Sequence, residues 1–237
     1  MRAALRIAAL ALGACALGDA RAATTAYTDR ASFDAAITAL APVAALDFDA
    51  LAPNTIVPSG AALGAFAFTY AIDGGAQLMV IDGFATTSPA NSLGVVGDLA
   101  FLAGDGFELA FPPARAIGLY VIGEDLAAGD VSLGAFGTSV ALGETPDAIL
   151  SDGSAAYWLG LVESDPAGAT TSAALASAIV EDVGDYVWNV DDLVAAPEPG
   201  AASGAAAGAL AVGALASLTR LRNALRRRAR SASRPGR

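Results

Sequence analysis

Residues 64–72 read GAFAFTYAI. Phe66, Phe68, Tyr70 and Ile72 fall on one side of an extended chain, and Ala65, Ala67, Thr69 and Ala71 on the other. A period of two, large apolar against small, is what a half-buried β-strand requires, and it is incompatible with the 3.6-residue repeat of a helix. Asp73-Gly74 follows at once, and Asp-Gly recurs at 82–83, 105–106 and 152–153. Both residue types tolerate the positive φ that tight turns demand.

The same pattern extends in both directions. LDFDA (46–50), QLMVI (77–81), LAFLA (99–103), FELAF (107–111), AIGLYVIG (116–123), VSLGAF (131–136), YWLGLVE (157–163) and YVWNVDDLV (186–194) are further strand candidates. Short strands with frequent turn signals predict a mainly β fold, an antiparallel β-sandwich of jelly-roll or lectin-like type. One helix precedes them. In DRASFDAAITAL (29–40), Phe33, Ile37 and Leu40 lie at helical spacing, Thr28 is a candidate N-cap, and Pro42 ends the run. The Ala-rich stretch 172–178 is ambiguous between strand and a second helix.

Composition limits the chemistry. The chain has 237 residues, 24 acidic side chains, 13 arginines, and neither lysine nor histidine. Residues 23–196 carry only Arg30 and Arg115 against 22 acidic groups, a net charge of −20. Such a body repels phosphate backbones, which excludes nucleic acid as a partner. Without histidine, Ser-His-Asp and Cys-His arrangements and histidine zinc sites cannot form, and without lysine no Schiff base can. Carboxylate pairs of glycosidase type stay available, but so many acids pair by chance, and solvated turn charge is the default. The expectation is a protein that is not an enzyme and has no resident cofactor.

One cation site is worth naming. Asp47 and Asp49 in LDFDA, with Asp191 and Asp192 in NVDDL, supply hard oxygen ligands suited to a structural calcium if the first and last strands are neighbours. Plain surface acidity is the competing reading. Trp158, Trp188, Tyr120, Tyr157 and Tyr186 lie inside apolar strand patterns, so core packing is expected of them rather than sugar stacking.

The two ends differ from the body. Residues 1–22 read as a signal peptide: Arg2 and Arg6, an 11-residue apolar core from Ile7 to Leu17, and Ala20-Arg21-Ala22 as a signal-peptidase cleavage pattern. An uncleaved anchor is one alternative. Leu12-Gly13-Ala14-Cys15 resembles a lipobox, which makes lipidation of Cys15 another. The exported domain is expected to span 23–194.

The tail, 195–237, is more specific. Pro197-Glu198-Pro199 precedes 19 uncharged residues, 201–219, whose helical length of about 30 Å matches a bilayer core. Arg220, Arg222, Arg226, Arg227 and Arg228 follow, within an arginine-rich end at 220–237. Positive charge stays cytoplasmic, which puts the acidic body outside, as the signal peptide does. The prolines hold the segment before the span extended.

This arrangement resembles the PEP-CTERM sorting signal of bacterial exported proteins. YTDRASFDAAI with ALDFDAL near the start, and YWLGLVESD with YVWNVDDLVAAPEP near the end, also resemble the extracellular domains of that family. The resemblance implies a lectin-like sandwich without catalytic residues. It implies an exosortase as partner, which recognises the tail at the inner membrane and cuts near the motif. The product passes to the cell surface or an extracellular polysaccharide matrix. A carbohydrate- or calcium-binding adhesion module, and a single-pass protein that is never processed, are the rival expectations.

Overall fold

The computed structural model describes residues 23–40, 43–164, 170–177 and 186–197. Their elements are β1 (Thr24–Tyr27), helix α1 (Arg30–Ile37), β2 (Ala44–Leu46), β3 (Ile56–Val57), β4 (Ala62–Leu63), β5 (Phe66–Thr69), a 3₁₀ turn (Asp73–Gly75), β6 (Leu78–Ile81), β7 (Ser92–Val95), β8 (Phe101–Leu102), β9 (Gly106–Glu124), β10 (Val131–Ala135), β11 (Thr138–Ala141), β12 (Ala148–Ile149), β13 (Ala155–Glu163), β14 (Thr170–Ser177) and β15 (Val187–Pro197). The fold is mainly antiparallel β with one short helix, consistent with the sandwich-like class read from the sequence.

Strand β9 organises the molecule. It is 19 residues long and changes partners halfway. Its first half, Gly106–Ala110, lies between β14 and β5. Its second half, Ala116–Gly123, lies between β13 and β15. Pro112 and Pro113 occupy the changeover, where their missing N–H groups cost the ladder little. FELAF and AIGLYVIG, read separately from the sequence, are thus one strand.

The two halves share a core. Phe107, Leu109 and Phe111 from the first half and Ile117, Leu119 and Val121 from the second belong to one buried cluster with Phe66, Phe68, Leu133, Leu159, Leu175 and Trp188. Trp188 stacks on Phe101 with ring centroids 4.2 Å apart, and Phe101 in turn meets Phe107 at 5.6 Å. A smaller cluster lies on the opposite face of the second half. There α1 sets Phe33 and Ile37 against Ala116, Tyr120, Ile122 and Trp158. Gly118 and Gly160 sit opposite each other across β9 and β13, and their missing side chains make room for rings. A Cβ on Gly118 would come within 2.3 Å of the Trp158 ring, and one on Gly160 within 2.5 Å of Phe33.

Two local readings need correction and one ambiguity is resolved. The N-cap of α1 is Asp29, not Thr28: its carboxylate accepts from Ser32 N–H at 2.7 Å, and the helix stops at Ile37. Pro42 lies outside the described residues. In LDFDA only Leu46 is strand, because Phe48 takes a left-handed turn at φ 62° with its ring fully buried. Residues 172–177 are strand, not helix, since β14 is held between β9 and β10. Among the described residues no helix is long and apolar enough to cross a membrane, and the expected span 201–219 lies outside them.

Candidate functional site at the closing strand

Strand β15 carries the sequence's acidic pair on an irregularity. Its register against β9 shifts between Asp191 and Val194, and Asp192 sits there at φ 51°. A bulge of this kind re-aims side chains. It turns Asp191 inward, where it is fully buried. Oδ2 of Asp191 accepts from Thr87 N–H at 3.1 Å, Thr87 Oγ1 at 2.9 Å, Ser88 N–H at 3.0 Å and Ser88 Oγ at 3.0 Å. Oδ1 accepts from the Asp192 N–H at 2.8 Å. Burial pushes the Asp191 carboxyl up to about 6, although the Ser88 N–H favours its charge and the nearby Asp192 charge raises it further.

The other two aspartates arrive through strand pairing. β2 pairs with β15, Leu46 opposite Leu193, so the turn after β2 lies beside the bulge. Asp49 Oδ1 accepts from Ala90 N–H at 3.1 Å and Asn91 N–H at 2.9 Å. Asp47 Oδ1 accepts from Asp49 N–H at 3.2 Å. Asp192 accepts from Thr87 Oγ1 at 3.2 Å, and its carboxyl is raised by burial against the pull of Arg30. The first strand, β1, pairs with β13 instead; it is β2 beside the last strand that brings Asp47, Asp49, Asp191 and Asp192 to one seam. The donors of residues 87–91 already engage Asp49 and Asp191. Among the described residues, no group of three or more Asp, Glu, His or Cys is placed to hold a metal ion.

Beside the seam is an open depression of about 350 Å³, lined by Arg30, Asp34, Thr87, Tyr120, Leu150 and Asp192. Beyond the rarity of cations, nothing in the sequence points to it. The Arg30 guanidinium lies over the Trp158 ring, 4.3 Å from its centroid, and Nε donates to both Asp34 oxygens at 2.9 Å. Tyr120 donates to Asp147 Oδ2, and burial first, then that bond, holds its phenol well above the usual range. A raised phenol already committed to a carboxylate is a poor general base. The arrangement holds parts together: helix α1, the β15 bulge at Asp192 and the β13 sheet meet at one arginine.

A second clamp was also missed. Asp152 accepts from Ala85 N–H at 2.9 Å and from Ser154 Oγ at 2.6 Å, bonds that hold its carboxyl below the usual range. The clue was available in the Asp-x-Ser spacing, but the Ala85 partner is remote in sequence.

Of the three residues expected to form a sorting motif, Pro197 is the last residue of β15, opposite Ala114. Glu198, Pro199, the arginines from Arg220 onward, and Cys15 lie outside the described residues. All five aromatics assigned to packing are buried, Trp158 and Trp188 completely. No model of a known protein family matches the chain, and no curated protein matches it.

Proposed function

We propose that the chain is a non-enzymatic exported protein, delivered by an exosortase to the cell surface or to an extracellular polysaccharide matrix. The observation that carries this reading is the order of features in the tail: Pro197-Glu198-Pro199, an uncharged run at 201–219, and arginines from Arg220. A positive end holds the span in one orientation, and the acidic body lies across the membrane from it. The β body is the cargo, of jelly-roll or lectin-like type, and the tail is its address. Two structural facts support a scaffold over a binding module. Trp158, Trp188, Tyr120, Tyr157 and Tyr186 are buried in cores, and the carboxylate of Asp191 is filled by loop donors.

Mass spectrometry of the protein recovered from its producing cells tests this. The expected product begins near Ala23 and lacks Arg220 to Arg237. A product still ending at Arg237 overturns sorting and leaves a permanently anchored protein.

A further inference from the structure

The arginine at the head of α1 keeps hydrogen-bond donors in reserve. Arg30 donates its backbone N–H to Asp147 Oδ2 at 3.4 Å and its Nε to Asp34. Its terminal Nη1 and Nη2 groups donate to nothing among the described residues, and Nη1 only approaches Asp192 Oδ2, at 4.0 Å. The guanidinium is pinned all the same. Asp34 grips Nε, and the Trp158 ring lies 4.3 Å from Cζ.

A matching acceptor faces it. Asp192 sits at φ 51°, a left-handed backbone that non-glycine residues adopt at a cost and that clusters at ligand-binding positions. Thr87 Oγ1 fixes its Oδ2 at 3.2 Å, while Oδ1 accepts no bond among the described residues. The side chains of Arg30 and Asp192 are 28% and 26% exposed, so solvent reaches both. They line the depression of about 350 Å³ beside the seam, with Leu150 as an apolar side. That volume is at the small end of the roughly 300–1,000 Å³ of small-molecule sites.

Three classes of ligand compete for this pair. An anion suits the guanidinium, but it must approach a body of net charge −20 and pass Asp34 and Asp192. A cation suits the carboxylates, but the guanidinium already lies between them and the indole. A neutral polyol satisfies both sides, because a hydroxyl accepts from Nη and donates to a carboxylate oxygen at once. We propose that this depression binds one pyranose unit of a neutral polysaccharide, with neighbouring hydroxyls set between Arg30 and Asp192 and Leu150 against the apolar face of the ring. Neither the buried aromatics nor the filled Asp191 carboxylate takes part. The site lies in the β body and does not depend on how the tail is processed, so it goes beyond the sorting reading and stands apart from it.

The test uses the protein as recovered from its producing cells, isotope-labelled at nitrogen and kept in a zwitterionic detergent without a sugar headgroup. The chain has two tryptophans, so two indole N–H signals are read by NMR. Trp158 lies under Arg30 and reports the site, and Trp188, in the main core, is the internal reference. The probes are D-mannose, D-galactose and D-glucose, with D-glucuronate as the anionic comparison and choline as the cationic one. The expected result is that a neutral sugar moves the Trp158 signal with a Kd on the order of 1 mM and leaves Trp188 in place. Arg30→Lys keeps the charge and loses the planar fork. Asp192→Asn keeps a residue that tolerates the left-handed backbone and loses the charge. Each should weaken binding about tenfold or more while the domain stays folded. An unmoved Trp158 signal with all three sugars, binding that survives both substitutions, or tighter binding of glucuronate or choline overturns the proposal. None of these outcomes bears on sorting, which the mass of the recovered chain decides separately.

Discussion

The two halves of β9 are one strand in two environments. In the first half Phe107, Leu109 and Phe111 are buried while Glu108 and Ala110 face solvent. In the second half every residue from Ala116 to Gly123 is buried. The inner face is the same main core in both. The difference is the outer face, which α1, Trp158 and Arg30 cover only over the second half. One continuous strand can thus read as alternating at one end and solidly apolar at the other. The solid half marks where a second layer sits on the sheet.

Removing that layer's central ring should be the most damaging change. Trp158→Ala leaves a cavity beneath Phe33 and Tyr120, whose rings lie 5.0 Å from it, and costs roughly 4 kcal/mol. Gly118→Ala drives a methyl into the same indole and costs about 3 kcal/mol. The two are coupled. With Trp158 already truncated, Gly118→Ala should cost under about 1 kcal/mol in urea denaturation. Additive costs would show that Gly118 is needed for some other reason than that ring.

The seam at Asp191 tests the covered half from its other edge, because Asp191 pairs with Tyr120. Its carboxyl titrates near 6 in the folded chain against an ordinary 3.8. Between those values the native state holds the proton and the unfolded state has lost it, so stability falls as pH rises from about 4 to about 6. Below that window the contribution is fully present. The fall from this group alone is up to roughly 3 kcal/mol. Asp191→Ala should flatten that part of the stability–pH curve. At neutral pH it should also cost about 2 kcal/mol, because the Thr87 and Ser88 N–H groups lose their acceptor. An unchanged curve in the variant would assign the pH dependence elsewhere.

These contrasts explain what the sequence made legible. The alternation of Phe66, Phe68 and Ile72 is local, and the structure buries all three. The continuity of β9 is not local: Pro112-Pro113 reads as a break, yet both prolines fall where the strand exchanges neighbours. The Ala-rich segment 172–177 has helical propensity, and two flanking strands override it. In the sequence Asp191 reads as a cation ligand and not as a buried acceptor, because its donors, Thr87 and Ser88, lie more than 100 residues earlier. The sequence places it beside Asp47 and Asp49 only on the expectation that first and last strands are neighbours, and the structure achieves this through β2 instead. Arg30 was visible as a rare cation, but its perch on Trp158 depends on a helix docking across the sheet.

The smallest effect belongs to the open half. Ala110 faces solvent between Ala67 of β5 and Ser172 of β14, both small. Ala110→Thr places a β-branched side chain on a pleated surface with space around it. It should leave stability within about 0.5 kcal/mol of the parent, with any change favourable. Equilibrium denaturation reads this directly. A loss above about 1 kcal/mol would mean that the outer face of the first half is covered after all, and the contrast between the halves of β9 would then fail at the end where it is simplest.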